Sequence, residues 1–286
     1  MRIALDPYMH RTVPLLDLPA YVRDLGYDAI ELSPRDDFIP FFRHPRIGRE
    51  GVRAFRRALS QAGVDVVSVL PLFRWSSPDE AERQAAVRYW KRAIALTAEL
   101  GCSRMNSEFS GRPEAAAASE AQFWRSMEEL LPELDGEGID LALEPHPDDF
   151  VEEGIAAIDI IRAIDSPRVS YLYCAPHTFH MGGDITAILR HAGSLVTHVH
   201  LADGFDHRAS SGLRYIVNPP GSPARVHQHL DIGQGEVDFE VLFEGLGAIA
   251  FDGILTSCVF AWEDRADDSS RFMRERIGDL VTRHLA

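Results

Sequence analysis

Acidic and imidazole side chains follow apolar, β-rich runs at several points of this chain, and together they have the chemistry of metal ligands. The segment LALEPHPDDF, residues 141–150, ends an alternating apolar run in Glu144 and His146. Comparable positions hold Glu108 in NSEF, His177 and His180 in APHTFHMGGD, and His198, His200 and Asp203 in HVHLAD. Mixed carboxylate and imidazole donors suit manganese, zinc, iron or cobalt, whereas magnesium and calcium prefer oxygen ligands alone. The set therefore predicts one divalent cation, although any single histidine near a strand end is more often structural.

The elements that must position these residues are predicted to be eight strands alternating with eight helices. Strand-like runs lie at 2–6, 28–33, 64–70, 103–108, 139–144, 168–174, 195–202 and 253–258. Helical patterns lie near 17–25, 49–62, 78–100, 119–136, 153–164, 184–192, 238–249 and 267–284. In the clearest helix Ser77 is the expected N-cap and Pro78 the first helical residue. Eight βα units predict a single (β/α)8 TIM barrel over residues 1–286. A doubly wound open sheet is the alternative, but no GxGxxG turn follows the first strand.

The carboxyl ends of the strands are where the active site of such a barrel forms, and the acidic and imidazole residues fall there. Alternation along a strand puts His198 and His200 on the same face, so His200 is the expected ligand and His198 the deeper support. Residues 203–237 form a connection too long for an ordinary loop and contain further histidines. We therefore expect this connection to be functional.

Charge and composition exclude several classes of function. The chain has 29 Lys and Arg against 44 Asp and Glu, a formal net charge of −15 that would repel nucleic acid. No apolar run is long enough for a membrane span or a signal peptide. We therefore expect neither a nucleic-acid partner nor a membrane partner, and we expect a cytoplasmic location. Cys102, Cys174 and Cys258 lack CxxC spacing and are expected to be reduced thiols.

Several longer motifs resemble a known group of barrel enzymes. LALEPHPDD, PHTFHMGGD, HVHLADGFDH, and IGQGEVDF ahead of FDGILTS resemble the xylose-isomerase-like sugar phosphate isomerase/epimerase superfamily over essentially the whole chain. NSEFSGRPE, EPHPDDFVEEG and TSCVFAWED look most like the IolH-type proteins of myo-inositol catabolism. LDPYMHR and SCVFAWE are also similar to the α subunits of metal-dependent C-glycoside deglycosidases. The sequence does not separate these two branches.

The resemblance implies a small sugar or cyclitol substrate whose α-proton is moved beside a metal-bound carbonyl. By motif position it implies metal ligands at Glu144, His177 and His200, and a substrate contact at His180. Two positions depart from the superfamily pattern. The strand-six ligand is often Asp but is His177 here, and the strand-eight Glu, usually a ligand and a base, falls at Cys258. The pattern therefore does not supply the two-glutamate proton shuttle of the ketose epimerases.

Other residues of the chain could replace these functions. His229 on the long connection could reach the metal, and Glu108 stands at a strand end where some relatives carry a ligand. His146 is suited to act as the base, because a nearby cation keeps an imidazole neutral and able to accept a proton. Glu108 and His180 are the other candidates for moving the proton. Weaker candidates for substrate binding, each open to a structural role, are His10, Arg35, Trp75 and Arg214.

The leading hypothesis is a divalent-metal-dependent isomerase, epimerase or lyase acting on a sugar or cyclitol. Manganese is the first candidate for the metal, with zinc, cobalt or iron as alternatives. A non-catalytic metal-binding subunit of a heteromeric complex is the second hypothesis, favoured by the missing carboxylate at Cys258. An endonuclease IV-like repair enzyme would use the same barrel, but the net charge opposes it. A second copy of the chain or a small β subunit are the protein partners considered.

Overall fold

The structure is a closed barrel of parallel strands surrounded by helices. It is a computed structural model and describes residues 1–205 and 229–285. Each strand pairs with the next along the chain, and the last pairs with the first. The strands are β1 (Arg2–Leu5), β2 (Ala29–Leu32), β3 (Asp65–Val69), β4 (Arg104–Glu108), β5 (Asp140–Glu144), β6 (Val169–Cys174), β7 (Val196–Leu201) and β8 (Ile254–Ser257). The predicted (β/α)8 barrel is therefore confirmed.

Helices follow the strands on the outside of the barrel, each with one face buried against it. The longer ones begin and end within a few residues of the predicted positions. They are α1 (Leu18–Asp24), α2 (Arg49–Ala62), α3 (Glu80–Leu100), α4 (Ala116–Glu137), α5 (Gly154–Ile164), α6 (Ala175–Met181), α7 (Ile185–Ala192), α8 (Phe239–Ala248) and α9 (Ala266–His284). In α3, Val87, Trp90 and Ile94, which recur at helical spacing, are buried, and Ala98 on the same stripe is half-buried.

The start of α3 differs from the prediction. Asp79, and not Ser77, is the N-cap, because its carboxylate accepts a hydrogen bond from the Glu82 backbone N–H at 2.9 Å. Pro78 therefore precedes the helix and does not begin it. Ser77 instead accepts from the Asp79 N–H at 3.2 Å and donates to the Glu82 carboxylate. The serine supports the cap, so the sequence pattern was correct about the region and wrong about the residue.

The short helix α6 was not predicted. It begins directly after β6 with Pro176 in its first turn and ends at Gly182, whose φ is +73°. Two turns are too short to show an apolar period, which is why the sequence pattern contains no signal for it. Its consequence is local: His177 and His180 project from a helix at the mouth of the barrel, and not from a loop.

The interior of the barrel is layered. Ala4, Ala29 and Ile254 form a small apolar cluster at one level. Above it lies a buried polar layer of Glu31, Ser68, Asn106, His198 and Thr256, joined by hydrogen bonds. Buried polar groups are costly unless they are paired, so this layer constrains which side chains can stand above it.

The carboxylate of Asp203 ties the end of the long connection to the barrel. The backbones of Asp203 and Leu230 exchange two hydrogen bonds, at 2.8 and 3.0 Å. The Asp203 side chain also accepts from the backbone N–H groups of Gly204, Gly233, Gly235 and Val237, at 2.8 to 3.0 Å. A Cβ on Gly235 would lie 2.3 Å from the Gly204 carbonyl oxygen, so only glycine fits there. Residues 206–228 of the connection predicted at 203–237 lie outside the described residues.

Across 1–205 and 229–285, no helix is long and apolar enough to cross a membrane.

Replacing Asp203 with Asn should destabilise the protein. The Asn side chain has one acceptor oxygen where Asp has two, and its NH2 group would face backbone N–H groups that need an acceptor. We expect the free energy of unfolding to fall by about 2 kcal/mol, measured by urea denaturation. The matched control is Asp238→Asn at the N-cap of α8, where Asn caps about as well as Asp. Equal effects of the two variants would contradict the anchoring role of Asp203.

Candidate metal centre and active site

A cavity of about 240 Å³ opens at the carboxyl ends of the strands. Its polar wall contains Asp6, Glu108, Glu144, His146, His177, His200 and His229, and its apolar rim contains Tyr8, Phe41, Phe42, Leu70, Leu72 and Phe260. A wider cleft of about 780 Å³ lies at the opposite end of the barrel and is lined by neither His nor Glu. The chemistry is therefore at the end where TIM barrels carry their active sites.

Four predicted metal ligands converge in this cavity. The Glu144 carboxylate lies between two imidazoles, with Oε1 2.6 Å from His177 Nδ1 and Oε2 3.1 Å from His200 Nδ1. His177 Nε2 lies 3.1 Å from His229 Nε2. All four side chains are buried, and the Cys174 thiol is close enough to belong to two overlapping groups of potential ligands. The long connection thus contributes His229, as predicted.

The hydrogen-bond partners of these imidazoles are compatible with a bound cation. His229 Nδ1 lies 2.7 Å from the Cys258 carbonyl oxygen and donates to it, which leaves a lone pair on Nε2. Burial lowers the pKa of His177 to about 4 and that of His229 well below its usual range, so both rings are neutral. A neutral His177 has one N–H, yet its two nitrogens face the Glu144 carboxylate and the His229 lone pair. One of those contacts joins two acceptors, a conflict that a cation held by His177 and His229 would remove.

Glu31 on β2 orients His200 and was missed by the sequence analysis. Its Oε1 lies 2.7 Å from His200 Nε2, and its Oε2 lies 3.0 Å from His198 Nε2. Burial alone would raise the pKa of Glu31, but His200 and His198 lower it well below its usual range. A carboxylate behind a ligating imidazole fixes the ring and leaves its other nitrogen for the metal. The sequence signal that could have identified Glu31 is that it is the single charged residue in the apolar strand AIEL.

His198 lies below His200, as the strand alternation predicted. It is fully buried, and its Nε2 lies 2.7 Å from Thr256 Oγ1 on β8. Its contacts with Thr256 and Glu31 use its polar atoms inside the barrel, so it supports the layer above and does not reach the cavity.

His146 and Glu108 form a second pair beside the proposed ligands. His146 Nε2 lies 3.4 Å from Glu108 Oε1, and His146 Nδ1 lies 2.6 Å from the Pro147 carbonyl oxygen. Glu108 and Glu144 are aligned partners on β4 and β5. Burial raises the pKa of Glu108, whereas the charges of Glu108 and Glu144 outweigh burial and raise the pKa of His146. This pair can hold and move a proton beside the metal site.

The buried carboxylate of Asp149 holds the two loops that carry this pair. It accepts from the backbone N–H groups of Ser110 at 2.5 Å and Gly111 at 2.6 Å, just after β4. The Asp149 N–H donates to the His146 carbonyl oxygen at 3.2 Å. Burial, reinforced by the charge of Glu108, raises the pKa of Asp149 to about 7. Asp149 therefore fixes the spacing between Glu108 and His146 without lining the cavity.

Several predicted substrate contacts are not brought to the cavity. His10 is buried and its Nε2 lies 2.9 Å from Ser270 Oγ on α9, because its turn packs under that helix. Arg35 is paired with Asp37 at 2.9 Å. Trp75 is fully buried among aromatic rings and donates to the Glu108 carbonyl oxygen at 3.1 Å. His180 lies in the last turn of α6, outside the cavity lining. Arg214 lies outside the described residues.

Aromatic residues that the sequence analysis did not select form the rim instead. Phe260 stacks on His229 with ring centroids 4.4 Å apart and planes 11° apart, and Tyr8 packs against Phe260 at 4.8 Å. Phe41 and Phe42 are 40% and 46% exposed. These residues follow different strands, so only the closed barrel brings them together.

Replacing Glu31 with Gln should weaken metal binding, because the amide cannot hold His200 as a carboxylate does. We expect affinity to fall on the order of 10- to 100-fold, measured by competition with a chelator. The matched control is Glu99→Gln on the surface, where Glu99 pairs with Arg49. Unchanged affinity in Glu31→Gln, with circular dichroism like that of the wild type, would show that Glu31 does not orient a ligand.

Comparisons with known proteins agree with this architecture. Solved structures with similar folds include a D-psicose 3-epimerase in the presence of D-fructose (14% identity, TM-score 0.75, 99% of both chains covered). A 3-keto-D-glucoside 4-epimerase from E. coli in its apo form has 18% identity and a TM-score of 0.73 over 99% of both chains. An IOLI protein with a binding zinc atom has 14% identity and a TM-score of 0.72 over 100% of both chains.

These identities are low, and what they share with this chain is the fold. No curated protein matches the chain. The family model described as "Xylose isomerase-like TIM barrel" matches residues 19–276, which is most of the sequence. The chain therefore belongs to the xylose isomerase-like TIM barrel family.

Proposed function

We propose that this protein is a divalent-metal-dependent isomerase or epimerase of a small sugar or cyclitol. The observation that carries the proposal is the convergence of Glu144, His177, His200 and His229 in a cavity that also contains the His146–Glu108 pair. A cation and an adjacent base are the two groups that remove a proton from a carbon beside a carbonyl. The names of the solved relatives support this class, since two are sugar epimerases and the third carries zinc.

The cation would be held by Glu144, His177, His200 and His229. When bound, it supplies the positive charge that polarises a carbonyl and acidifies the neighbouring C–H. Three imidazoles and one carboxylate suit zinc, iron or cobalt as well as manganese. Manganese, the first candidate in the sequence analysis, stays a prediction.

His146 is the proposed base. Its Nδ1–H is donated to the Pro147 carbonyl oxygen, so in the neutral ring, which the charge of a bound cation would favour, Nε2 carries the lone pair that accepts the substrate proton. Glu108, 3.4 Å from that nitrogen, stabilises the imidazolium once the proton has arrived. In the substrate, the electron pair of the broken C–H bond moves toward the carbonyl.

The shape of the cavity limits the substrate. A volume of about 240 Å³ is below the usual range of about 300–1,000 Å³ for ligand pockets, so the reacting molecule is small. Among the described residues that line the cavity there is neither Lys nor Arg. The apolar rim keeps water from the reacting carbon.

Two branches of chemistry follow the same first proton transfer. In an inositol-catabolism type of enzyme, proton delivery to the neighbouring carbon would complete an isomerisation, and delivery to the opposite face of the same carbon would complete an epimerisation. In a 3-keto-C-glycoside deglycosidase, a lyase, the C-linked aglycone would leave instead. Exchange of the α-proton with solvent is common to both branches, so it is the readout that tests the proposal first.

Metal analysis of the purified protein should find about one equivalent of manganese, zinc, cobalt or iron per chain. Glu144→Ala and His200→Ala should lose it, because each removes a donor. His191→Ala is the matched control, since His191 lies on α7 and pairs with Asp159 far from the cavity. A wild-type protein without metal after reconstitution would overturn the proposal and favour a non-catalytic binding subunit.

Replacing His146 with Ala should abolish deuterium exchange at the substrate's α-carbon while leaving the metal content intact. The expected loss is about 10²- to 10⁴-fold, measured by NMR in deuterated water with inososes and 3-keto-glycosides as substrates. Glu108→Gln should slow the same exchange by a smaller factor, because the imidazole remains. Exchange at the wild-type rate in His146→Ala would remove this residue from the role of base.

A further inference from the structure

We infer that Asp6, at the end of β1, contacts the substrate from the side opposite His146 and exchanges a proton with the other face of the same carbon. The inference rests on the proposed function and identifies the reaction as an epimerisation. Two acid–base groups on opposite faces are what the inversion of a carbon centre requires, because the proton leaves from one face and arrives at the other.

The register of the barrel places Asp6 beside Cys258. On β1 and β8, Ala4 is aligned with Thr256 and Leu5 with Ser257, and the Asp6 N–H donates to the Ser257 carbonyl oxygen at 2.9 Å. Ala4 and Thr256 belong to the barrel interior. Asp6 and Cys258 stand two residues further along each strand, so they face the same interior. The carboxylate that the superfamily pattern places at position 258 is thus replaced by the carboxylate of Asp6, at the end of the neighbouring strand.

One carboxyl oxygen of Asp6 accepts two hydrogen bonds, and the other accepts none from the described residues. Its Oδ1 accepts from Ser33 Oγ at 2.6 Å and from the Tyr8 N–H at 2.9 Å. Its Oδ2 is buried and has no hydrogen-bond partner among residues 1–205 and 229–285. Asp6 is 1% exposed, and it lines the same cavity as the proposed metal ligands. An unpaired buried carboxyl oxygen is costly, and a substrate hydroxyl or carbon-bound proton would give it a partner.

The geometry favours contact with substrate over metal ligation. The groups of His, Cys, Asp and Glu whose ligand atoms lie within 4.8 Å of one another in the described residues do not include Asp6. In the closed ring of eight strands, β1 is opposite β5, which carries Glu144 and leads to His146. A substrate held between these strands would have Asp6 on one side and the His146–Glu108 pair on the other.

The protonation of Asp6 suits this role. Burial, together with the charge of Glu31, raises the pKa of Asp6 to about 7. The carboxyl can therefore carry a proton at neutral pH or lack one. In one direction His146 takes the proton from the carbon and Asp6 gives its own to the opposite face. The reverse direction exchanges the two roles, and solvent resets both groups.

The test uses the metal-loaded full chain in deuterated water with a 3-keto or inosose substrate that the wild type exchanges. During early turnover of the wild type, deuterium should enter the inverted product while the remaining substrate stays largely unlabelled. Asp6→Asn should exchange the α-proton of the substrate without inverting it, with product formation lowered about 100-fold or more. Asp36→Asn, an exposed carboxylate on the neighbouring loop, is the matched control.

The wild-type labelling pattern tests the inference even if Asp6→Asn does not fold. Equal labelling of substrate and product, or exchange without any inverted product, would overturn the role of Asp6 and leave the proposed function intact. Inversion by a folded Asp6→Asn protein at the wild-type rate would do the same. A metal-loaded wild type that exchanges no α-proton in any such substrate would overturn the proposed function and this inference together.

Discussion

The buried carboxylate of Glu144, held between the imidazoles of His177 and His200, is the interaction on which the rest of the site depends. Its oxygens lie 2.6 and 3.1 Å from the two rings. Removing one partner of such a buried pair leaves a charge that neither water nor another group compensates, at a cost of about 3–5 kcal/mol. The surrounding structure is arranged to keep the pair aligned: Glu31 supports His200 from below, and α6 brings His177 in from above.

The chain departs from its superfamily pattern at Cys258, and the structure shows how its surroundings accommodate that change. Burial raises the pKa of the Cys258 thiol well above its usual value, so this residue is neutral and no substitute for a carboxylate. Its carbonyl oxygen accepts the Nδ1–H of His229, which turns Nε2 of that ring toward His177. Phe260 then covers His229 on one face. His229 is therefore oriented by the backbone of Cys258, the residue directly after β8.

Two kinds of surface line the cavity, a polar wall and an apolar rim. The charged groups lie at the strand ends, where the barrel holds the backbone rigid and the spacing of donors is set by strand register. The aromatic rim lies on the connecting segments, where Phe41 and Phe42 are partly exposed. A polar floor with an apolar rim is suited to chemistry that needs fixed donors and a small substrate shielded from water.

The sequence by itself determined the barrel, because eight alternations of β-rich and helical pattern leave few other topologies. It also indicated Glu144, His146, His177 and His200 as a set, because polar side chains at the ends of apolar strands must meet at one end of a parallel barrel. His229 was a candidate only as a histidine of the long connection that could reach them. Only the tertiary structure decided which side chains share that cavity. Glu31 and Asp6 resemble ordinary strand residues until barrel closure places them behind His200 and beside Cys258. His10, Arg35 and Trp75 have suitable chemistry, but packing against α9, an ion pair with Asp37 and an aromatic cluster hold them elsewhere. Apart from the Arg35–Asp37 pair, these contacts join residues far apart in the chain, so local patterns contain no record of them.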